Sequence, residues 1–202
     1  MSIMEEAVST LNQQIAARVS ELRAARGLSL DAAASKSGVS RSMISLIERG
    51  ESSPTAVVLE KLAAGLGVTL SSLFDPPANS APTCKGPVSR YGEQVEWRDP
   101  GSGYLRRCVS PPGVSQPMQI VEVHFPPQGR VAFETGGRDQ RVCQQVWVLE
   151  GEIEVSVGAD RYRLIQGDCL AMVLDRPTMF YNPTPNTTRY AVVIASETFT
   201  KR

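Results

Sequence analysis

Apolar positions recur with helical spacing through the first third of the chain and alternate like strands through the rest. Residues 1–10 are polar and are expected to fray, and Leu11, Ile15, Val19 and Leu22 then form one face of a first helix that Arg26-Gly27 ends. Leu30, Ala33 and Ala34 make a second stripe, with Ser29 as N-cap, Asp31 suited to the helix dipole and small alanines that let another helix cross closely. Gly38 stops this helix, since glycine enters the left-handed region without strain. Val39 plugs the turn, Ser40 caps a third helix whose buried face is Ile44 and Ile47, and Glu48-Arg49-Gly50 closes it. A loop through Pro54, a residue suited to a helix start, leads into a fourth helix faced by Val58, Leu59, Leu62 and Leu66 and ended by Gly67. Leu70, Leu73 and Phe74 complete a five-helix unit of small core.

The pattern then breaks. Residues 75–83, DPPANSAPT, read as a semi-rigid linker because of their three prolines. Beyond Cys84, short runs of Val, Ile, Tyr and Thr alternate with Gly, Pro, Asn and Asp, the signature of an all-β domain. Strands are expected around Val88–Tyr91, Val95–Arg98, Tyr104–Ser110, Met118–Phe125, Val131–Glu134, Gln144–Leu149, Glu152–Val157, Arg161–Leu164, Leu170–Val173, Met179–Asn182 and Arg189–Ala195, enough to close a sandwich or barrel. Glu150-Gly151 reads as a tight hairpin turn and Gly158-Ala159-Asp160 as the next turn. The division is therefore 11–75 for the helical domain, 76–84 for the linker and 85–202 for the β domain, with its core at 117–195.

Composition narrows this picture. A length of 202 residues allows one domain or two, and 42% hydrophobic residues is ordinary for a globular chain. No apolar run has the length of a membrane span and no signal peptide is evident, so a cytoplasmic protein without membrane partners is expected. Cys84, Cys108, Cys143 and Cys169 form no Cys-x-x-Cys pair, which leaves zinc-finger and redox motifs unsupported and buried free thiols expected. Net charge is zero, and residues 1–75 carry seven Lys/Arg against eight Asp/Glu, which argues against tight non-specific binding to nucleic acid. Any case for DNA must rest on where particular cations sit.

That case comes from residues 28–50. The Ala33-Ala34 pair, the turn Gly38-Val39-Ser40, the apolar pair Ile44/Ile47, the closing Glu48-Arg49-Gly50 and the downstream LAAGLGVTLSSLF resemble the helix-turn-helix domain of the phage-repressor (Xre, lambda-repressor-like) family over about Leu11 to Phe74. The resemblance implies an ion pair of Arg23 with Glu48 that braces the unit, and a third helix entering the major groove of double-stranded DNA by its N-terminal end. Arg41 is then the first candidate for reading a base, with Ser42 and Ser45 beside it. Ser40, Lys36, Arg49 and Ser29 are candidates for the DNA-facing rim, where phosphate contacts position without specifying.

In the β domain, VLEGEIEV, then RLIQGD, then Pro177 before a strand resemble the barrel of the cupin superfamily, over about Pro117 to Ile194. The resemblance implies a jelly-roll barrel, and many cupins hold a divalent metal through histidines and a carboxylate or amide. Here the first-motif histidine positions fall near Gly137 to Gln140 in GGRDQ, the carboxylate position on Gln144 and the last histidine position on Thr178. The chain's one histidine, His124, lies on another strand and reads as structural or surface. An amide and a hydroxyl suit a transition metal poorly, so neither a metal nor a cofactor is expected, and no catalytic set is apparent. By analogy the same positions face inward, so Gln144 and Thr178, joined by Phe133, Arg141, Met172 and Tyr181, are candidates to line a cavity for a polar neutral or zwitterionic effector, with Arg141 available to a carboxylate.

Together the two resemblances imply a dimeric, ligand-responsive transcriptional regulator, with repression as the simpler mode, rather than an enzyme. The alternatives are a metal-free cupin enzyme tethered to a helix-turn-helix domain, and a barrel that serves dimerisation alone.

Overall fold

The computed structural model describes residues 3–77, 86–113, 117–134 and 141–197. Most of the expected linker, Cys84 and the GGRDQ segment lie outside the described residues.

The N-terminal unit is α1 (Ile3–Ala25), α2 (Leu30–Ser37), α3 (Arg41–Glu48) and α4 (Ala56–Gly65), followed by one 3₁₀ turn at Leu70–Leu73. Two expectations are corrected here. α1 starts at Ile3 rather than Leu11. The fifth helix is only a 3₁₀ turn: the Thr69 hydroxyl accepts the Ser72 N–H at 3.3 Å, and four residues suffice to bury Leu70 and Leu73. The caps fall where the sequence puts them. Ser29 Oγ accepts from Ala32 N–H at 3.1 Å, Ser40 Oγ accepts from Met43 N–H at 3.3 Å, and Gly38 has φ +69°. A Cβ at Gly65 would stand 2.7 Å from Ser37 Cα, so α2 and α4 meet at a distance only glycine permits.

The C-terminal unit has ten strands among the described residues: β1 (Glu96–Arg98), β2 (Leu105–Cys108), β3 (Met118–Phe125), β4 (Arg130–Phe133), β5 (Arg141–Glu150), β6 (Glu152–Val157), β7 (Asp160–Ile165), β8 (Cys169–Val173), β9 (Thr178–Tyr181) and β10 (Thr188–Glu197). They form two antiparallel sheets, ordered β1-β2-β3-β10-β5-β8 and β4-β9-β6-β7. Val121, Val123, Val146, Val148, Val192 and Ile194 of the first sheet share a buried core with Val131, Ile153, Val155 and Phe180 of the second. The described ladders give two sheets and no closed barrel.

Three further expectations change. Val88–Tyr91 is not a strand: Tyr91–Glu93 is a 3₁₀ turn, Val88 and Tyr91 are exposed, and the Tyr91 ring lies 3.9 Å from the guanidinium carbon of Arg107. Glu150-Gly151 is no hairpin turn, because β5 and β6 belong to different sheets. Gly151, at φ +83°, is where the chain crosses between them. Nor are all the thiols buried: Cys169 is exposed and Cys108 and Cys143 are half-buried, all three free. The turn at Gly158-Ala159 does join β6 to β7, with Val157 opposite Asp160.

One hydrophobic core runs through both units. Rings pass from the helical unit into the sandwich through Phe74–Trp97 (5.5 Å between centroids), Trp97–Tyr104 (6.0 Å), Tyr104–Phe125 (5.8 Å) and Phe125–Tyr190 (6.2 Å). Asp99 reaches across as well: its Oδ1 accepts Ala56 N–H at the start of α4 at 2.8 Å, while Oδ2 accepts from the Ser102 backbone and hydroxyl. Lys61 pairs with Glu134 at 2.7 Å, and Arg106 donates to the Ser71 hydroxyl. No helix among the described residues is long and apolar enough to cross a membrane.

Candidate functional site

The outward side of α3 is built on a rigid frame. Ile44 and Ile47 are buried, and Glu48 at the end of the helix receives Arg23 of α1 through two bonds, Nε to Oε1 at 2.6 Å and Nη2 to Oε2 at 2.8 Å. Arg23 Nη1 also donates to the Leu28 carbonyl at 2.8 Å, so one guanidinium ties α1, the α1–α2 loop and α3 together. The hydrogen bonds it donates to Glu48 push the Arg23 pKa up, as a fork-to-fork pair should.

On that frame the Arg41 side chain is 65% exposed, with Nε 3.5 Å from Asp31 Oδ1. An exposed pair of this kind is worth only about 0–1 kcal/mol, so Arg41 is free to exchange it for another partner. Ser29, Ser40 and Ser42 are exposed near the N-terminal ends of α2 and α3, and the Ser40 and Ser42 hydroxyls lie 3.2 Å apart. Ser45 is half-exposed and accepts from Arg49 Nη1 at 2.6 Å, while Arg49 Nη2 pairs with Glu51 at 2.8 Å. Lys36 is exposed in the last turn of α2.

The second candidate is a cavity of about 70 Å³ at the junction of the two units. Gln144, Thr178 and Phe133 line it as expected. Arg141, Met172 and Tyr181 do not. Along β5 the buried positions are Val142, Val146 and Val148, so Arg141 shares the outward parity of Gln145 and Trp147. Along β9, Thr178 and Phe180 are buried, whereas Tyr181 donates to Gln128 Oε1 at 2.9 Å under the Arg130 guanidinium. Met172 is buried opposite Gln144 on the edge strand β8 and faces a separate groove with Tyr162 and Arg176.

The sequence reading missed the rest of the wall. Glu60, Thr69 and Leu70 come from the helical unit, and Tyr104, Arg106 and Tyr190 from the sheets. Two signals were available. Glu60 falls on the same helical face as Ala56, Leu59 and Ala63, and of the adjacent pair Arg106-Arg107 in a strand, one must point inward. Burial pushes the Tyr104 and Tyr190 hydroxyls well up, so the cavity meets them neutral. Among the described residues no group of three His, Cys, Asp or Glu side chains is placed to hold a metal. The first-motif positions 137–140 lie outside the described residues. His124 is half-buried, 3.2 Å from Glu122 and outside the cavity lining.

The profile of the HTH_3 helix-turn-helix family matches residues 19–73. Along most of its length the chain is similar to the HTH-type transcriptional regulator SutR of Escherichia coli (strain K12), 26% identical over 190 residues and covering 93% of this chain and 97% of that one. It is also similar to the HTH-type transcriptional regulator PuuR of the same organism, 29% identical over 166 residues and covering 82% and 85%. The crystal structure of an HTH_3 family transcriptional regulator from Vibrio cholerae superposes with a TM-score of 0.75 at 28% identity, covering 94% of this chain and 99% of that chain. That superposition takes in the helical unit and the sandwich alike.

Proposed function

We propose that this chain, whose residues 19–73 match the HTH_3 helix-turn-helix profile and which is similar along most of its length to HTH-type transcriptional regulators, is a DNA-binding, effector-controlled repressor whose sandwich is a cupin-like sensor. Arg41 reads a base, Ser42 and Ser45 assist, and Ser29, Ser40, Lys36 and Arg49 set the register on the phosphates. The observation that carries the sensor part is the junction cavity, because its wall is shared: Glu60, Thr69 and Leu70 belong to the DNA-binding unit, and Gln144, Thr178 and Phe133 to the sandwich. A ligand that fits one placement of the two units better than another shifts the balance between them.

The reading includes a two-fold homodimer that binds two half-sites about one DNA turn apart. The outer side of the six-stranded sheet offers a face for it, where Met118, Ile120 and a half-exposed Trp147 stand out of the sheet. It also has the sandwich bind its ligand without transforming it, needs no cofactor, and sets the protein to work in the cytoplasm.

Two measurements on the full chain test this. Native mass spectrometry of the purified protein should show a dimer, with or without an organic adduct, and a transition-metal adduct would count against the sensor as drawn. Selection from a random pool of duplex DNA should yield a palindromic operator. Recovery of only unrelated sequences, with affinity that tracks salt alone, would defeat the reading.

A further inference from the structure

Arg106 stands at the joint of the two units. It is 5% exposed and lines the cavity. One of its terminal nitrogens donates to the Ser71 hydroxyl of the 3₁₀ turn, and its guanidinium carbon lies 5.4 Å from the Phe74 ring centre. Its neighbour on this strand, Arg107, is ion-paired with Glu96 and Glu122. The Arg106 Nε–H is buried and has no acceptor among the described residues. A buried guanidinium with an open N–H is costly, and the cavity beside it is where an acceptor can come from. Glu60, a buried carboxylate on the helical wall of the same cavity, is not without a partner.

We propose that the junction cavity receives a small carboxylate bound by Arg106, and that its arrival re-aims the contact of Arg106 with Ser71. The side chain that recognises the effector is then also the one that sets the placement of the DNA-binding unit. This rests on the effector reading above. The size of the cavity limits the ligand. At roughly 10–15 Å³ per water-sized position, about 70 Å³ takes a molecule of only a handful of non-hydrogen atoms, a short aliphatic monocarboxylate of about the size of butyrate. Its chain would lie against Phe133 and Phe180. A longer chain has to push back the wall of Glu60, Thr69 and Leu70, which belongs to the DNA-binding unit.

The test titrates the full-length protein with sodium butyrate, butyramide and butylamine at constant ionic strength. It follows thermal unfolding and the tryptophan emission of the unaltered chain, to which Trp97, whose ring lies between Phe74 and Tyr104, contributes. Butyrate should give a saturable response, with butyramide and butylamine weaker by about tenfold or more, the worth of a hydrogen bond to a charged group. Arg106→Gln should lose the butyrate response by a similar factor. Ser71→Ala, which leaves the cavity charge alone, should still bind butyrate but lose most of the effect of butyrate on operator affinity.

Equal binding of butyramide, a preference for butylamine, or an intact butyrate response in Arg106→Gln overturns the site. Unchanged coupling in Ser71→Ala overturns the joint. Butyrate binding is measured without DNA, so the two readings fail separately. A protein that binds butyrate but selects no operator defeats the proposed function and leaves the site standing. One that binds its operator but ignores butyrate defeats this inference alone.

Discussion

The two units put their chemistry in opposite places. The helical unit buries its frame and exposes the side chains proposed to read DNA: Ile44 and Ile47 are inside, Arg41 and Ser42 outside. The sandwich exposes salt-bridged arginines such as Arg163 and buries the polar groups that face its cavity, Thr178 and Arg106 among them. An exposed reading residue is almost independent of stability, whereas a residue that walls a cavity serves both fold and function. Substitutions should separate the two.

The largest effect belongs to the sandwich. Phe125→Ala removes a ring that packs on both Tyr104 and Tyr190 and should cost about 3–5 kcal/mol in denaturant unfolding. Next comes Arg41→Ala, which should leave the melting temperature nearly unchanged while weakening the selected operator by roughly 1–3 kcal/mol in a binding titration. A large loss of stability in that variant would erase the contrast. Asp99→Ala tests the joint. It strips α4 of an acceptor supplied by the other unit and should cost about 1–3 kcal/mol. Calorimetry should then split one transition into two, and a single unshifted transition would show that the ring stack alone couples the units. Smallest is an acid-range effect at Glu51, whose carboxyl is held below its usual value by the hydrogen bond from Arg49. A depressed carboxyl stabilises above its unfolded value and loses that contribution as pH falls through its folded value. The small difference in melting between wild type and Glu51→Gln should therefore shrink as the pH falls below the ordinary glutamate range and vanish in stronger acid.

The same contrast explains what the sequence could tell. The caps Ser29 and Ser40 and the stop at Gly38 depend on residues three or four positions away, so a local reading finds them. Family likeness carried Gln144 and Thr178 to the cavity. It did not carry Arg141 or Tyr181, where strand parity decides, and a single step of register turns a side chain to the other face. Glu150-Gly151 has the local form of a hairpin turn, and only the pairing of distant strands shows it to be a passage between sheets. For Glu60 and Arg106 the sequence held only a hint of burial, in the helical face of one and the paired arginines of the other, and not the cavity they share. Each belongs to a wall that exists only once the two units have met.

The position of β10 has a consequence for how the chain comes into being. This strand, drawn from the last stretch of described sequence, sits in the middle of the six-stranded sheet, between β3 and β5. During synthesis the helical unit, whose contacts are mostly short in sequence, emerges first and can fold at once. The sheet must wait, its central place empty and two long edges unpaired, until the ribosome delivers Thr188–Glu197. On the function proposed above, every nascent chain thus passes through a stage in which the DNA-binding unit is complete before the proposed sensor has formed. A message cut short before β10 would, on that same reading, leave the helical unit without its proposed governor.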